Sequence, residues 1–149
     1  MKDLLTYDHE DMVDIGYVGD FYALLEAMKV MPKTAVLCLE GTAIAPDIAA
    51  YVQARQPPDP PNIDPDTIWP TPAFFHLPLT DGNLQGLSEL AAQHAEPEVA
   101  DHFVVYDGTW VLLWAHDAGF DQVRVSRRLP ELTVAELKSE LGNALRPTT

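Results

Sequence analysis

Cysteine is nearly missing from this chain. Cys38 stands alone among 149 residues, which excludes an internal disulfide and every zinc pattern built on paired cysteines. It falls in the apolar run TAVLCLE, Thr34 to Glu40, with no basic or histidine neighbour in sequence to lower its pKa, so it reads as a small buried hydrophobe. Long apolar runs are absent too: none approaches the roughly 20 residues that cross a bilayer, and no membrane partner is expected. Positive charge is scarce, with 9 Lys and Arg against 23 Asp and Glu and a formal net charge of -14. A surface that negative repels phosphate backbones and attracts cations, so nucleic acid is not an expected partner. Also missing are GxGxxG, a phosphate-binding loop and the GxSxG nucleophile elbow, so no cofactor is expected. The acidic opening MKDLLTYDHEDMVDIG lacks the basic start and apolar centre of a secretory signal, which makes the cytoplasm the expected location.

What is present describes one globular domain, residues 1–149, with 47% hydrophobic residues and enough length to bury a single core. Acidity is uneven. Between Glu40 and Asp121 there are thirteen carboxylates and one basic residue, Arg55, whereas five basic residues outnumber three acidic ones after Asp121. Such asymmetry suits a face for a basic partner, and its plainer reading is negative charge that keeps the protein soluble.

Local patterns alternate between helix and strand. In GDFYALLEAMKV, Asp20 can cap a helix whose Phe21, Leu24, Leu25 and Met28 share one face, and Pro32 ends it. TAVLCLE reads as a strand buried on both faces, and Pro46 suits the first turn of a helix carrying Ile48, Tyr51, Val52 and Arg55 on one stripe. Residues 56–72 hold seven of the 13 prolines and form an extended connection with Ile63, Ile68 and Trp69 as apolar anchors. AFFHLPL resumes as a strand, followed by a helix capped by Asp81 with Leu84, Leu87, Leu90, Ala91 and His94 along one face. Pro97 starts a short helical turn or breaks this helix. FVVYDGTWVLLWA is a hairpin turning at Asp107-Gly108. A strand at Gln122 to Ser126 follows, then a helix opened by a Thr133/Glu136 capping box, with Val134, Leu137 and Leu141 buried and Gly142 closing it. Residues 143–149 read as a short tail. The fold class is α/β or α+β, with helices packed on a mixed sheet of about five strands, parallel in its first half and antiparallel in its second.

A two-residue turn at Asp107-Gly108 sets Tyr106 opposite Thr109. One hairpin face then carries Phe103, Val105, Trp110, Leu112, Trp114 and His116, and the other His102, Val104, Tyr106, Val111 and Leu113. On that register His102 and His116 point apart and cannot share a metal. Both faces are apolar, so helices on both sides or a second subunit must cover them, and a homodimer is expected.

Candidate site residues follow from the same placement. Asp101 falls diagonal to His116, where a hydrogen bond would make an acid-base dyad or tie down a strand end. Glu40 ends a strand before a loop and helix, and with His76 and His102 or His116 it sketches a carboxylate-histidine metal site. Asp117 and Asp121 are turn residues. The run HAEPEVADH, from His94 through Glu96, Glu98 and Asp101 to His102, reads as a solvated acidic helix end. Arg124, Arg127 and Arg128 can grip an anion or neutralise the protein's own carboxylates. Two functions remain open. The leading one is a small acidic, non-enzymatic interaction domain with a protein partner, a basic one being admitted by its charge. The alternative is a metal-assisted or acid-base hydrolase using Glu40, His76, Asp101 and His116.

Overall fold

The computed structural model describes residues 4–8, 10–63, 71–117 and 122–146. Along the chain it forms β1 (Met12–Val18), α1 (Phe21–Ala27), β2 (Val36–Gly41), α2 (Pro46–Gln53), β3 (Ala73–Pro78) and α3 (Asp81–Ala91). Then come β4 (His102–Asp107), β5 (Trp110–Ala115), β6 (Gln122–Ser126), α4 (Glu131–Leu141) and β7 (Leu145–Arg146), with 3-10 turns at Met28–Val30, Glu96–Glu98 and Gly142–Ala144. The seven strands make one sheet in the order β3-β2-β4-β5-β6-β1-β7, and each neighbouring pair is antiparallel.

This is an α+β domain, and it corrects two expectations. Seven strands replace about five, because β1 and β7 add themselves beside β6, and β7 lies in the segment expected as a tail. The expected parallel half of the sheet is antiparallel. β3 and β4 do run the same way on either side of a crossover through α3, but β2 sits between them and pairs antiparallel with both. Because β3 is antiparallel to β2, it enters the sheet from the end at which β2 leaves it.

Helix formation follows local chemistry closely. Asp20 caps α1 by accepting from the Tyr22 and Ala23 amides, and Phe21, Leu24, Leu25 and Met28 are all buried, each contributing about 1.5–3 kcal/mol. Pro46 occupies the first turn of α2. The cap of α3 is Thr80, one residue before the expected Asp81; Thr80 accepts from the Asn83 amide, and Asp81 instead pairs with Lys33. α4 begins at Glu131 behind Pro130, so Thr133 and Glu136 lie inside the helix and form no capping box. Gly142 closes it with φ 49°, a conformation in which a side chain is strained. Leu137 and Leu141 join Leu37, Leu39, Phe103, Val105, Leu113 and Val125 in one buried core between the helices and one face of the sheet.

The hairpin corrects a third expectation. Asp107 pairs with Trp110, so the turn is Gly108-Thr109 with φ 62° at Gly108, and a bulge between Val105 and Tyr106 on one strand and Leu113 and Val111 on the other leaves Leu112 extra. Positive φ at the first central residue alone is the mark of a type II′ turn. Val104 then pairs with Trp114 and Phe103 with Ala115. Beyond the bulge, every β5 side chain takes the face opposite to the expected one.

The second sheet face carries Cys38, Glu40, His76, His102, Val104, Tyr106 and Trp114. The N-terminal segment covers part of it: Thr6 bridges to Trp110, Tyr7 sets its ring edge on Trp114 at 4.9 Å, and Leu4 bridges to Asn62 of the proline-rich connection. Ile63 is half-buried there. Ile68, Trp69 and Asp121 lie outside the described residues.

Candidate functional site

One row across the second face holds the site. Glu40 of β2 is the cross-strand partner of His102 of β4, and the bulged register of β5 sets His116, just past the strand, beside His102. Their rings stack with centroids 4.7 Å apart and planes 7° from parallel. The expectation that these two histidines point to opposite faces is thus overturned, and the cause is the single extra residue in β5.

The chain turns sharply after His116. Asp117 has φ 45°, a left-handed conformation that Asp tolerates better than most residues. That turn aims its backbone N–H at His102, donating to Nδ1 at 2.8 Å. A ring nitrogen that accepts a hydrogen bond bears the lone pair, so the proton of the neutral His102 ring belongs on Nε2. The Asp117 carboxylate stands 3.6 Å from His102 Nδ1 and 3.5 Å from His116 Nε2. Ligand atoms of His102, His116 and Asp117 all lie within 4.8 Å of one another. His102 is buried, His116 is part-buried and Asp117 is exposed, so the cluster opens to solvent on the Asp117 side.

The four expected site residues are distributed around this row. Glu40 is 5% exposed and shares the face with both histidines. His76 stands one row away: its Nδ1 lies 2.8 Å from Tyr106 Oη and its Nε2 3.9 Å from Cys38 Sγ, all three side chains buried. Burial, with the Glu40 charge nearby, pushes the Cys38 thiol well above its usual range, which marks it as a packed rather than a reactive cysteine. Asp101 serves the loop after β2: its carboxylate accepts from the Thr42 amide at 3.2 Å and lies 3.3 Å from the Thr42 hydroxyl. Sequence reading took Asp117 as a turn residue only, and missed the His102 and His116 pairing. No signal for the latter stood in β5, because Trp110 to Ala115 is apolar throughout and a bulge leaves no mark on such a run.

Carboxylates gather around the same end of the sheet. Ala45 donates its amide to the Glu98 carbonyl, and Asp101 donates its own to the Glu40 carbonyl, which ties the start of α2 to the segment before β4. His94 links them further, its ring 2.9 Å from Asp47 and 3.7 Å from Glu98. Its hydrogen bond to Asp47 raises the His94 pKa and lowers that of Asp47. The Glu96–Glu98 turn begins at the helical turn that Pro97 permits. Among the described residues few basic ones approach this end, and those nearby are engaged on aromatic rings: Trp114, which carries Arg124, stands 5.5 Å from His116. Arg128 covers the Trp110 ring at 3.5 Å and stands 3.9 Å from Asp11, while Arg124 lies over Trp114 at 5.4 Å.

Among the described residues no helix is long and apolar enough to cross a membrane. Comparison with protein-family models, curated proteins and solved structures finds no match to this chain.

Proposed function

We propose that this chain is a non-enzymatic protein-interaction domain whose acidic end engages a basic protein partner in the cytoplasm. One observation supports this reading above others. Asp47, Glu98, Asp101 and Asp117 come from separate parts of the chain to one end of the sheet, in segments 41–47, 94–102 and 116–117 that hold no lysine or arginine. A one-sign rim of this kind accelerates encounter with a cationic surface and disfavours nucleic acid, and both effects weaken with salt. The test compares wild type with a variant carrying D47N, E98Q, D101N and D117N. Immobilised wild type captures a basic protein from native lysate at low salt, and the purified partner binds the variant more weakly with a flatter salt dependence. Empty capture by wild type, or equal affinity for both proteins, overturns the proposal.

A homodimer belongs to the same proposal, although the covering of the second face by the N-terminal segment removes part of its motivation. Light scattering across a concentration series reads it directly. A metal-assisted or acid-base hydrolase is a second proposal, supported by Glu40 and His116 standing in one row with His102. It requires His76 and Asp101 to leave their present partners and join them. Turnover of an ester or phosphoester panel that vanishes in a folded His116→Ala variant is its expected signature.

A further inference from the structure

We infer that His102, His116 and Asp117 form a binding site for a divalent transition-metal ion of the zinc type. This rests on the geometry of the cluster and does not depend on the identity of any partner. Two imidazoles and one carboxylate are the donors that such ions favour, whereas magnesium and calcium prefer all-oxygen sets. Metal–ligand bonds of about 2.0–2.1 Å at tetrahedral angles place neighbouring donors about 3.3 Å apart. The separations here are 3.6 Å from Asp117 to His102 Nδ1 and 3.5 Å from Asp117 to His116 Nε2. These distances run to Oδ1 and Oδ2 respectively, and single donor atoms of the three residues lie within 4.8 Å of one another, so gathering them round one ion takes movements of up to about 1.5 Å.

Three further features prepare the site. The sheet register brings the two imidazoles together, and because their stacked planes lie 7° from parallel their in-plane lone pairs converge only when part-buried His116, just past β5, turns its ring along with the exposed Asp117 side chain. The Asp117 amide selects the tautomer of His102 with the lone pair on Nδ1, the atom nearest the Asp117 carboxylate. A bound ion replaces that N–H at Nδ1, exchanging a neutral hydrogen bond for a coordinate bond. Glu40, buried on the same face as the cross-strand neighbour of His102, adds a second negative charge beside the dication. Carboxylates near ligating histidines raise their basicity and fix their orientation. Three protein ligands leave a fourth position open toward solvent on the Asp117 side, as in zinc sites that bind an exogenous donor.

The experiment is a calorimetric Zn²⁺ titration of untagged, metal-stripped full-length protein, with Co²⁺ absorption as a coordination readout and Mg²⁺ as control. His116→Ala and Asp117→Asn change part-exposed and exposed positions, and circular dichroism checks their folding; either one alone carries the test. His94→Gln controls for the separate His94, Asp47 and Glu98 group. The expected result is one Zn²⁺ per chain, a cobalt spectrum of low coordination number, and binding weakened more than roughly tenfold by each cluster variant but retained in His94→Gln. Absence of saturable binding overturns the inference. So does binding unchanged in both cluster variants, binding lost in His94→Gln alone, or Mg²⁺ binding as tight as Zn²⁺.

Discussion

Gly86 lies in the middle of α3, where alanine is ordinarily favoured by about 1 kcal/mol. Here the substitution Gly86→Ala should destabilise. A Cβ at this position would stand 2.1 Å from Tyr51 Oη, 2.7 Å from Cζ and 3.0 Å from Cε2, so the ring from α2 must withdraw by more than about 1 Å to reach normal contact. Withdrawal breaks the hydrogen bond that Tyr51 Oη donates to the Asn83 carbonyl at 2.9 Å, costing about 0.5–1.5 kcal/mol. It also disturbs the Arg55 guanidinium stacked 3.8 Å above the ring, and repacking a crowded contact adds about 1–3 kcal/mol. Set against the helix preference, the net loss is about 1–3 kcal/mol, or roughly 2–12 °C in Tm for a domain this size. In a Tyr51→Ala background the obstacle is gone, and the same Gly86→Ala change should raise Tm by roughly 2–4 °C. Thermal unfolding of the four proteins in this double-mutant cycle reads the reversal of sign. If Gly86→Ala shifts Tm equally in both backgrounds, the ring is not what forbids a side chain in α3.

Two other outcomes are expected. The His94 and Asp47 pair should contribute most between their ordinary pKa values of 3.8 and 6.5: the raised His94 keeps its contribution below its unfolded pKa and loses it as pH rises through the folded one. The lowered Asp47 keeps its contribution above its unfolded pKa and loses it as pH falls through the folded one. Urea unfolding of wild type and His94→Gln should therefore differ more at about pH 5 than at about pH 8, and an equal difference at both refutes the linkage. Cys38, with its thiol buried and its pKa raised, should react with an aromatic disulfide reagent only as fast as the protein opens. Rapid stoichiometric reaction of the native protein would contradict this burial.

Elements set by neighbouring residues were legible in the sequence; those set by distant pairing were not. The cap and apolar stripe of α1, the proline start of α2 and the glycine end of α4 all depend on chemistry within a turn of the residue concerned. β1 escaped notice because Asp14 and Gly16 interrupt its alternation, and it is held by strands from the far end of the chain. The candidate site shows the sharper lesson. Glu40 and His116 were both singled out, yet the bulge at Leu112 exchanged the faces of β5 beyond it, while the one-residue shift of the turn left them unchanged. That exchange turned two histidines expected on opposite sides into a stacked pair. Residue types pointed to the right chemistry, while a parity that only the paired strands determine decided which residues share it.

The place of β1 also bears on how the protein reaches this state. Its residues 12–18 pair with residues 122–126 and 145–146, so during synthesis β1 leaves the ribosome long before any partner for its edge exists. The β4–β5 hairpin joins strands only a turn apart and can form early, whereas closure of the β1 side waits until residues 122–146 have been made. A nascent or truncated chain thus carries an unsatisfied strand edge at its front, the kind of surface on which aggregation begins. Residues 145–146, distant in sequence from β1, are among those that seal it.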